Sequence, residues 1–450
     1  MRVQPDYSQP RVPGTASICG AVPYRSRTTG EVKLIEETEH AVPKNEATWP
    51  ELDVLRGLAV IAMIANHSVV GWHRGGFAFS ELAEDLFVLG GFAPVLFFFA
   101  TGFGSGLQSR RPSGTAQHRY GLTRKLAILV FADQFILWRW QSFENSASAV
   151  GLDFLAFVAL STAAVEPLRN TRRPTMIALS AAGIVLALRF VIGPWIVPEV
   201  AQSSEMRWFG VLTGRIPLEG VSYPPLPWLA YPFIGFALGR GAGRWRSALE
   251  RHTVFVLAAL LTCAGAGIAT SGWLADSGWA VNRYGVHSLA YLPLAIGAVA
   301  VAVALSWALG RASSAGYSAL VALQRAISIR GIASLAVVPL HLGLVFWFGR
   351  ALSLPLSDAM MAATIGVVIV LSMAVGGLVA RAAEAIERSG YGRLAWLIGA
   401  TLSVAIAISL LWPLVLSPPL RIQTANLAQL CLCGMLAWSP PRFWRKSARA

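Results

Sequence analysis

The chain has 450 residues, of which 55% are hydrophobic and 13% are charged, and its mean hydropathy is +0.56. Soluble domains carry about 25% charged residues, so this composition excludes an ordinary soluble protein and predicts an all-α, polytopic transmembrane bundle. The formal net charge is +14, but the basic residues lie in short loops between apolar segments. We therefore expect them to orient the chain in a membrane, and we expect no nucleic-acid partner.

Hydrophobicity divides the chain into three parts. Residues 1–50 are polar and lack the apolar core of a secretory signal, so we expect a disordered cytoplasmic tail. Residues 51–440 form the predicted transmembrane domain, and residues 441–450 form a basic cytoplasmic tail. The domain contains about 12 apolar segments (10–12) near the about 20 residues that a bilayer requires. They cover residues 52–68, 85–107, 121–140, 147–168, 174–197, 223–240, 252–274, 287–309, 328–349, 360–380, 394–416 and 423–439.

Lysine and arginine are concentrated in alternate loops. The loop after the fourth segment, for example, carries Arg169, Arg172 and Arg173, whereas the loop after the ninth carries only Arg350. The positive-inside rule then places both termini in the cytoplasm and the 199–222 loop outside. We expect a multi-pass protein of the cell (inner) membrane, in contact with the lipid bilayer.

The first segment, LDVLRGLAVIAMIANHS, begins and ends with polar residues. Read as a helix, it brings Arg56 and His67 within roughly 20° of one face and about 16 Å apart along the axis. Such residues inside a span are costly and usually face a protein interior or a wet cavity. The pattern predicts a site with Arg56 near the cytoplasmic face and His67 near the outer face, flanked by Asp53 and Asn66. Asp53 also fits a helix cap or an ion-pair partner of Arg56.

A second stretch repeats part of this pattern. RGIASLAVVPLH, residues 330–341, shares arginine, glycine, two alanines and histidine with RGLAVIAMIANH, residues 56–67. The predicted topology runs both spans in the same direction. Either a parallel repeat or convergence on similar helix ends explains the likeness. His341 is accordingly a candidate for the same cavity or a core histidine.

Other polar and small residues have both structural and functional interpretations. Asp133 and Arg189 are predicted at membrane depth, where they form either an ion pair or part of a site. Gly102, Gly104 and Gly106 favour close helix packing over phosphate binding. The four cysteines lack disulfide or metal-binding spacing, and no sequence motif indicates a metal site.

Several motifs resemble those of integral-membrane acyltransferases. The Arg-Gly…His pattern of residues 56–67 and APVLFFFATGFGSGL, residues 93–107, resemble the first two spans of the acyltransferase-3 family. PPLPWLAYPFIGFALGR, residues 224–240, is similar to bacterial relatives of heparan-alpha-glucosaminide N-acetyltransferase, and GIASLAVVPLH is similar to a late helix of both families. Thr101 stands where serine is common in the second-span motif.

The resemblance implies transfer of an acyl group, usually acetyl, from a cytoplasmic acyl-CoA such as acetyl-CoA to an outward-facing glycan or glycolipid. On this view His67 is the catalytic base or acyl carrier, and Arg56 binds the donor phosphates. The supporting candidates are Asp53, Asn66, Thr101, Asp133, Arg189, Ser334 and His341. No metal is expected, and a homo-oligomer is compatible with the pattern.

A transporter or flippase for an amphipathic solute is the alternative. A bundle of this size with buried arginine and aspartate suits transport equally well. Inverted repeats with broken helices would favour transport, whereas the likeness between residues 56–67 and 330–341 relates two spans predicted to be parallel. The motifs therefore favour the enzyme.

Overall fold

The structure is a computed structural model that describes residues 49–73, 80–108, 116–138, 151–192, 212, 221–277, 288–352, 357–411 and 416–441. Residues 1–48 of the predicted N-terminal tail, residues 442–450 of the basic C-terminal tail and most of the 199–222 loop lie outside the described residues. Those that are described form helices joined by short connections, with one isolated β-bridge between Leu152 and Val221 and no strand. The all-α class is therefore confirmed.

Fourteen α-helices are numbered here in chain order within the described residues. They are α1 (Pro50–His73), α2 (Glu81–Gly90), α3 (Ala93–Gln108), α4 (Ala116–Trp138), α5 (Phe154–Val165), α6 (Pro174–Ala187), α7 (Ala230–Arg251), α8 (Thr253–Asp276), α9 (Tyr291–Ser314), α10 (Ser318–Ile327), α11 (Gly331–Ala351), α12 (Asp358–Arg388), α13 (Gly392–Leu411) and α14 (Pro418–Met435). A 3₁₀ segment (Glu166–Asn170) follows α5, a π-helical segment (Leu188–Ile192) follows α6, and a single turn (Pro225–Trp228) precedes α7.

Each of the 12 predicted segments contains a described helix, but the helices differ in length. Within the described residues, eight stretches are long and apolar enough to cross a membrane: α1, α2 with α3, α6 with its π-helical extension, α8, α9, α11, α12 and α13. A polytopic membrane bundle is therefore confirmed, whereas the number 12 and the cytoplasmic termini stay predictions.

Two predicted spans have a different form in the structure. Residues 85–107 fall in two helices, because α2 ends at Gly90 and α3 begins at Ala93, with Pro94 in its first turn. Residues 147–168 contain α5, which has 12 residues because Asp153 caps it: the Asp153 carboxylate accepts the N–H of Phe154 at 2.8 Å. Twelve residues extend about 18 Å, short of the about 30 Å hydrocarbon core. Helix α10 was not expected at all.

Glycines bring α3 and α7 into close contact. Gly102 and Gly106 of α3 face Gly235 and Gly239 of α7, each against backbone of the other helix. A Cβ atom at Gly102 would lie 1.9 Å from the carbonyl oxygen of Pro232. Only glycine fits such a contact, so the predicted packing role is confirmed for Gly102 and Gly106.

Helix α1 packs against α2, α3, α9 and α11 and positions the candidate site. Near its start, the carbonyl of Asp53 accepts the N–H of Ile329 at 3.1 Å, just before α11 begins. Near its end, Trp72 Nε1 donates to the carbonyl of Val345 at 3.0 Å. Since start meets start and end meets end, α1 and α11 are parallel, as the sequence predicted, and the two Arg-Gly…His motifs lie side by side.

Candidate active site

The two motif histidines are hydrogen-bonded to each other. His67 Nδ1 lies 2.8 Å from His341 Nε2, and the rings are within 13° of parallel. His341 is completely buried, and its Nδ1 lies 2.8 Å from the carbonyl oxygen of Val337, one turn earlier on α11. The structure therefore brings together two residues that the sequence could only suggest shared a cavity.

This chain of contacts assigns the protons of the neutral pair. A carbonyl oxygen only accepts, so His341 Nδ1 carries a hydrogen and donates it to Val337. A neutral His341 then accepts at Nε2, which requires His67 to donate from Nδ1. In a neutral His67 the unprotonated nitrogen is consequently Nε2. The tautomers follow from hydrogen-bond logic, and they make His67 Nε2 the basic atom of the pair.

His67 lines a cavity of about 490 Å³, a volume typical of small-molecule sites. The cavity lies between α1, the α2–α3 break, α11 and the segments that flank α5 and precede α7. Its walls combine polar groups with aromatic rings, and include Asn66, His67, Phe97, Asp153, Phe154, Ser222, Tyr223 and Arg350.

Asn66 holds the broken second span against α1. Its side-chain amide donates to the carbonyl of Phe87 at 2.9 Å, in the last turn of α2. A Cβ atom at Gly90 would lie 2.2 Å from the Asn66 Cβ. The close approach requires glycine, and Gly90 and Gly91 both line the cavity. The helix break is thus part of the cavity wall.

Asp133 fixes another wall. Its carboxylate accepts the N–H of Asp153 at 2.8 Å and the N–H of Leu155 at 2.7 Å, at the start of α5. The N–H of Ser222 donates to the carbonyl of Leu152 at 3.1 Å, which joins the segment before α7 to the segment before α5. These contacts carry Asp153, Ser222 and Tyr223 to the cavity.

The arginine ends of the two motifs share one carboxylate. Arg56 Nη1 lies 3.0 Å from Asp53 Oδ1, and Arg330 Nε lies 2.9 Å from Asp53 Oδ2. Lys125 of α4 is close enough to be repelled by Arg56 and attracted by Glu166. Gly104 lies beside Arg56: a Cβ there would be 3.2 Å from Arg56 Nη2. Gly104 therefore packs against α1, where it leaves room for Arg56, and not against α7.

Several predicted site residues lie elsewhere. His67 lines the described cavity, whereas Arg56 and Asp53 do not. Thr101 donates to the carbonyl of Phe97 within α3, and Ser334 donates to the carbonyl of Gly331 within α11.

The suggested ion pair between Asp133 and Arg189 is wrong. Asp133 binds the backbone at the start of α5, as described above. Arg189 is buried in the π-helical segment, with its guanidinium carbon 5.9 Å from the centre of the Phe190 ring. Buried carboxylates need hydrogen-bond donors, and backbone N–H groups at a helix start supply them without an arginine.

The sequence did not predict that Asp153, Ser222, Tyr223 and Arg350 line the candidate site. Asp153 stood inside a segment that was interpreted as a continuous span. Its position immediately before the apolar run FLAFVAL is typical of a helix N-cap, and that signal was available. Nothing in the sequence linked Ser222 or Tyr223 to His67.

Residues 49–269 match the family model described as heparan-alpha-glucosaminide N-acetyltransferase, catalytic. This region belongs to the heparan-alpha-glucosaminide N-acetyltransferase-like family of membrane acyltransferases. The acetyltransferase match extends from α1 into α8 and includes Arg56, His67 and Asp153; His341 and Arg350 follow it. No curated protein and no solved structure gives a significant match to the chain. No metal-binding cluster of His, Cys, Asp or Glu occurs in the described part of this membrane acetyltransferase.

Proposed function

We propose that this membrane acetyltransferase moves an acetyl group from a cytoplasmic acyl-CoA to a glycan or lipid-linked sugar at the outer face of the cell (inner) membrane. His67 is the catalytic base, and His341 is its positioning residue. The observation that carries the proposal is the ordered contact from Val337 through His341 to His67, which makes Nε2 the basic atom of a residue lining the cavity.

The proposed reaction is a direct transfer. His67 Nε2 takes the proton from an acceptor hydroxyl or amine while that oxygen or nitrogen attacks the thioester carbonyl. The new ester or amide bond forms, the carbon–sulfur bond breaks, and the proton on His67 passes to the leaving thiolate to give CoA as the thiol. Atoms and charges balance with no metal and no covalent enzyme intermediate.

His341 supports this step through its fixed tautomer. As His67 becomes an imidazolium, its Nδ1–H gains strength as a donor, and the lone pair on His341 Nε2 receives it. The hydrogen bond from His341 Nδ1 to Val337 keeps that lone pair directed at His67. The arrangement follows the logic of a base oriented by a third group.

The proposed donor site is the opposite end of α1. Arg56, Arg330 and Lys125 outnumber the carboxylates of Asp53 and Glu166 in this region, and Glu166 also pairs with Arg169. The local charge therefore favours an anion such as the phosphates of acyl-CoA. The predicted orientation places these cations at the cytoplasmic face. The thioester arm of the donor must then extend about 16 Å along α1 to reach His67.

A two-sided transfer assay tests the direction. Proteoliposomes are loaded with radiolabelled acetyl-CoA and given soluble sugars outside, in parallel with vesicles in which the two solutions are exchanged. The proposal expects acetylated sugar outside, with impermeant CoA retained inside. Sugar flux without acetylation would instead support a transporter.

A further inference from the structure

The candidate cavity contains two oppositely charged residues, Asp153 and Arg350, that take no part in the proposed reaction. Asp153 is half-buried, with Oδ1 accepting the N–H of Phe154 at 2.8 Å. Arg350 is exposed, and its guanidinium carbon lies 5.4 Å from the centre of the Phe346 ring. The cavity therefore contains a carboxylate fixed by a backbone hydrogen bond and a solvent-accessible cation.

The two charges lie at different depths. Arg350 follows His341 by nine residues on α11, about 13 Å further along the helix axis, and it is exposed where His341 is completely buried. The backbone N–H of Asp153 donates to the carboxylate of Asp133, which lies more than one turn before the end of α4. The exposed Arg350 is therefore assigned to the mouth of the cavity, and the half-buried Asp153 to its interior.

Aromatic rings line the interior of the cavity. Phe97 and Phe154 pack edge to face, with ring centres 4.9 Å apart, and Tyr223 lines the same space. Such rings cover the apolar face of a flat ligand, while a carboxylate accepts hydrogen bonds from its hydroxyl groups. A carboxylate in this position also repels an anion, so a negatively charged part of a ligand is excluded from the interior.

We propose that this cavity binds the acceptor as an uncharged sugar joined to an anionic carrier group. Asp153 accepts hydrogen bonds from the sugar hydroxyls beside His67, and Arg350 binds the phosphate of the carrier at the mouth. This rests on the proposed function and adds the substrate class: a phosphate-linked sugar in preference to a neutral glycoside. Guanidinium groups are well suited to phosphate.

Three matched pairs of acceptor probes test the proposal by equilibrium binding in the absence of donor, so that a failure of catalysis does not affect the result. The probes are dodecyl glycosides of glucose, galactose and N-acetylglucosamine and their dodecyl-phosphate counterparts, titrated into the full-length protein in nanodiscs. The expected result is at least tenfold tighter binding of one or more phosphate-linked sugars than of the matched glycoside.

Variants separate the two charges. Arg350→Gln should remove the preference for phosphate and leave neutral-glycoside binding unchanged. Asp153→Asn should weaken both probes several-fold, because asparagine still caps α5 but loses the charge. Arg325→Gln, at an exposed arginine of α10, is the control and should change neither.

Lipid headgroups are the other source of phosphate for Arg350. The titrations are therefore repeated in nanodiscs of neutral lipid and of phosphatidylglycerol. An Arg350→Gln effect that follows the lipid and not the probe would overturn the proposal, as would an equal effect on both probes, no effect of Asp153→Asn, or no binding of any phosphate-linked probe.

Discussion

His67 and His341 lie 274 positions apart in the chain, yet their Nδ1 and Nε2 atoms are 2.8 Å apart. This contact joins the histidine ends of two motifs on parallel helices, and the arginine ends of the same motifs share the carboxylate of Asp53. The two Arg-Gly…His motifs therefore act on each other directly at both ends. Their likeness in sequence corresponds to a pairing in space.

The His341 side chain should affect catalysis through His67. His341→Ala removes the group that receives the His67 Nδ1–H, and we expect kcat to fall by about 10² or more with little change in acetyl-CoA affinity. His341→Gln offers an amide oxygen at a similar reach and should restore part of the rate. Steady-state kinetics with thermal unfolding of each variant check this. A merely structural role would lower stability and leave kcat per folded molecule unchanged.

Arg56 and Arg330 form a matched pair for the donor site, because both bind Asp53. Arg56→Ala should weaken acyl-CoA binding by roughly tenfold or more, the loss of a charge-assisted contact worth about 1.5–3 kcal/mol. Arg330→Ala, at a more exposed arginine, should have a smaller effect. Calorimetric titration of acetyl-CoA measures both. Equal losses would assign the effect to the Asp53 cluster as a whole and not to Arg56.

The α3–α7 contact should tolerate no side chain. Gly102→Ala places a Cβ against the Pro232 carbonyl, and we expect a loss of stability of about 1–3 kcal/mol or more, since backbone has to move. Gly183→Ala in α6 is the control, because nothing lies within 4 Å of its Cβ position. Thermal unfolding in one detergent compares the two. Similar stability of both variants would contradict the close packing of α3 and α7.

The predicted orientation can be tested at the two ends of α12. Ser357 and Ser389 flank this helix, and both are exposed. In a cysteine-free background, Ser357→Cys should react with an impermeant maleimide on intact cells, and Ser389→Cys should react only after permeabilisation. The reverse pattern would invert the topology and exchange the donor and acceptor faces.

Much of the fold could be predicted from the sequence, because transmembrane helices are recognised by their long apolar segments. The contacts that were predicted less well are those between residues that are far apart in the chain. An ion pair with Arg189 was one of two alternatives for Asp133, because both are charged in apolar segments. Backbone N–H groups, which no sequence pattern displays, instead bind the Asp133 carboxylate. The early end of α2 depends on the contact between Gly90 and Asn66.

The candidate site was predictable only in part. The position of His67 in its span indicated a site, and the repeated motif indicated His341. Their direct contact depends on the packing of α1 against α11, and the role of Asp153 depends on where α5 begins. A cavity lined by several separate segments leaves no contiguous signature, so Ser222, Tyr223 and Arg350 could not be connected to His67 in advance.

The central claim is that His67 is the base, and it is tested most directly in His67→Ala. The measurement is single-turnover transfer of radiolabelled acetyl from acetyl-CoA to acceptor, together with acetyl-CoA affinity of the same preparation. The account predicts a rate lowered by about 10² to 10⁴ with donor affinity unchanged, because the imidazole acts on the acceptor and lies about 16 Å from Arg56. Full transfer by a folded His67→Ala protein would contradict it.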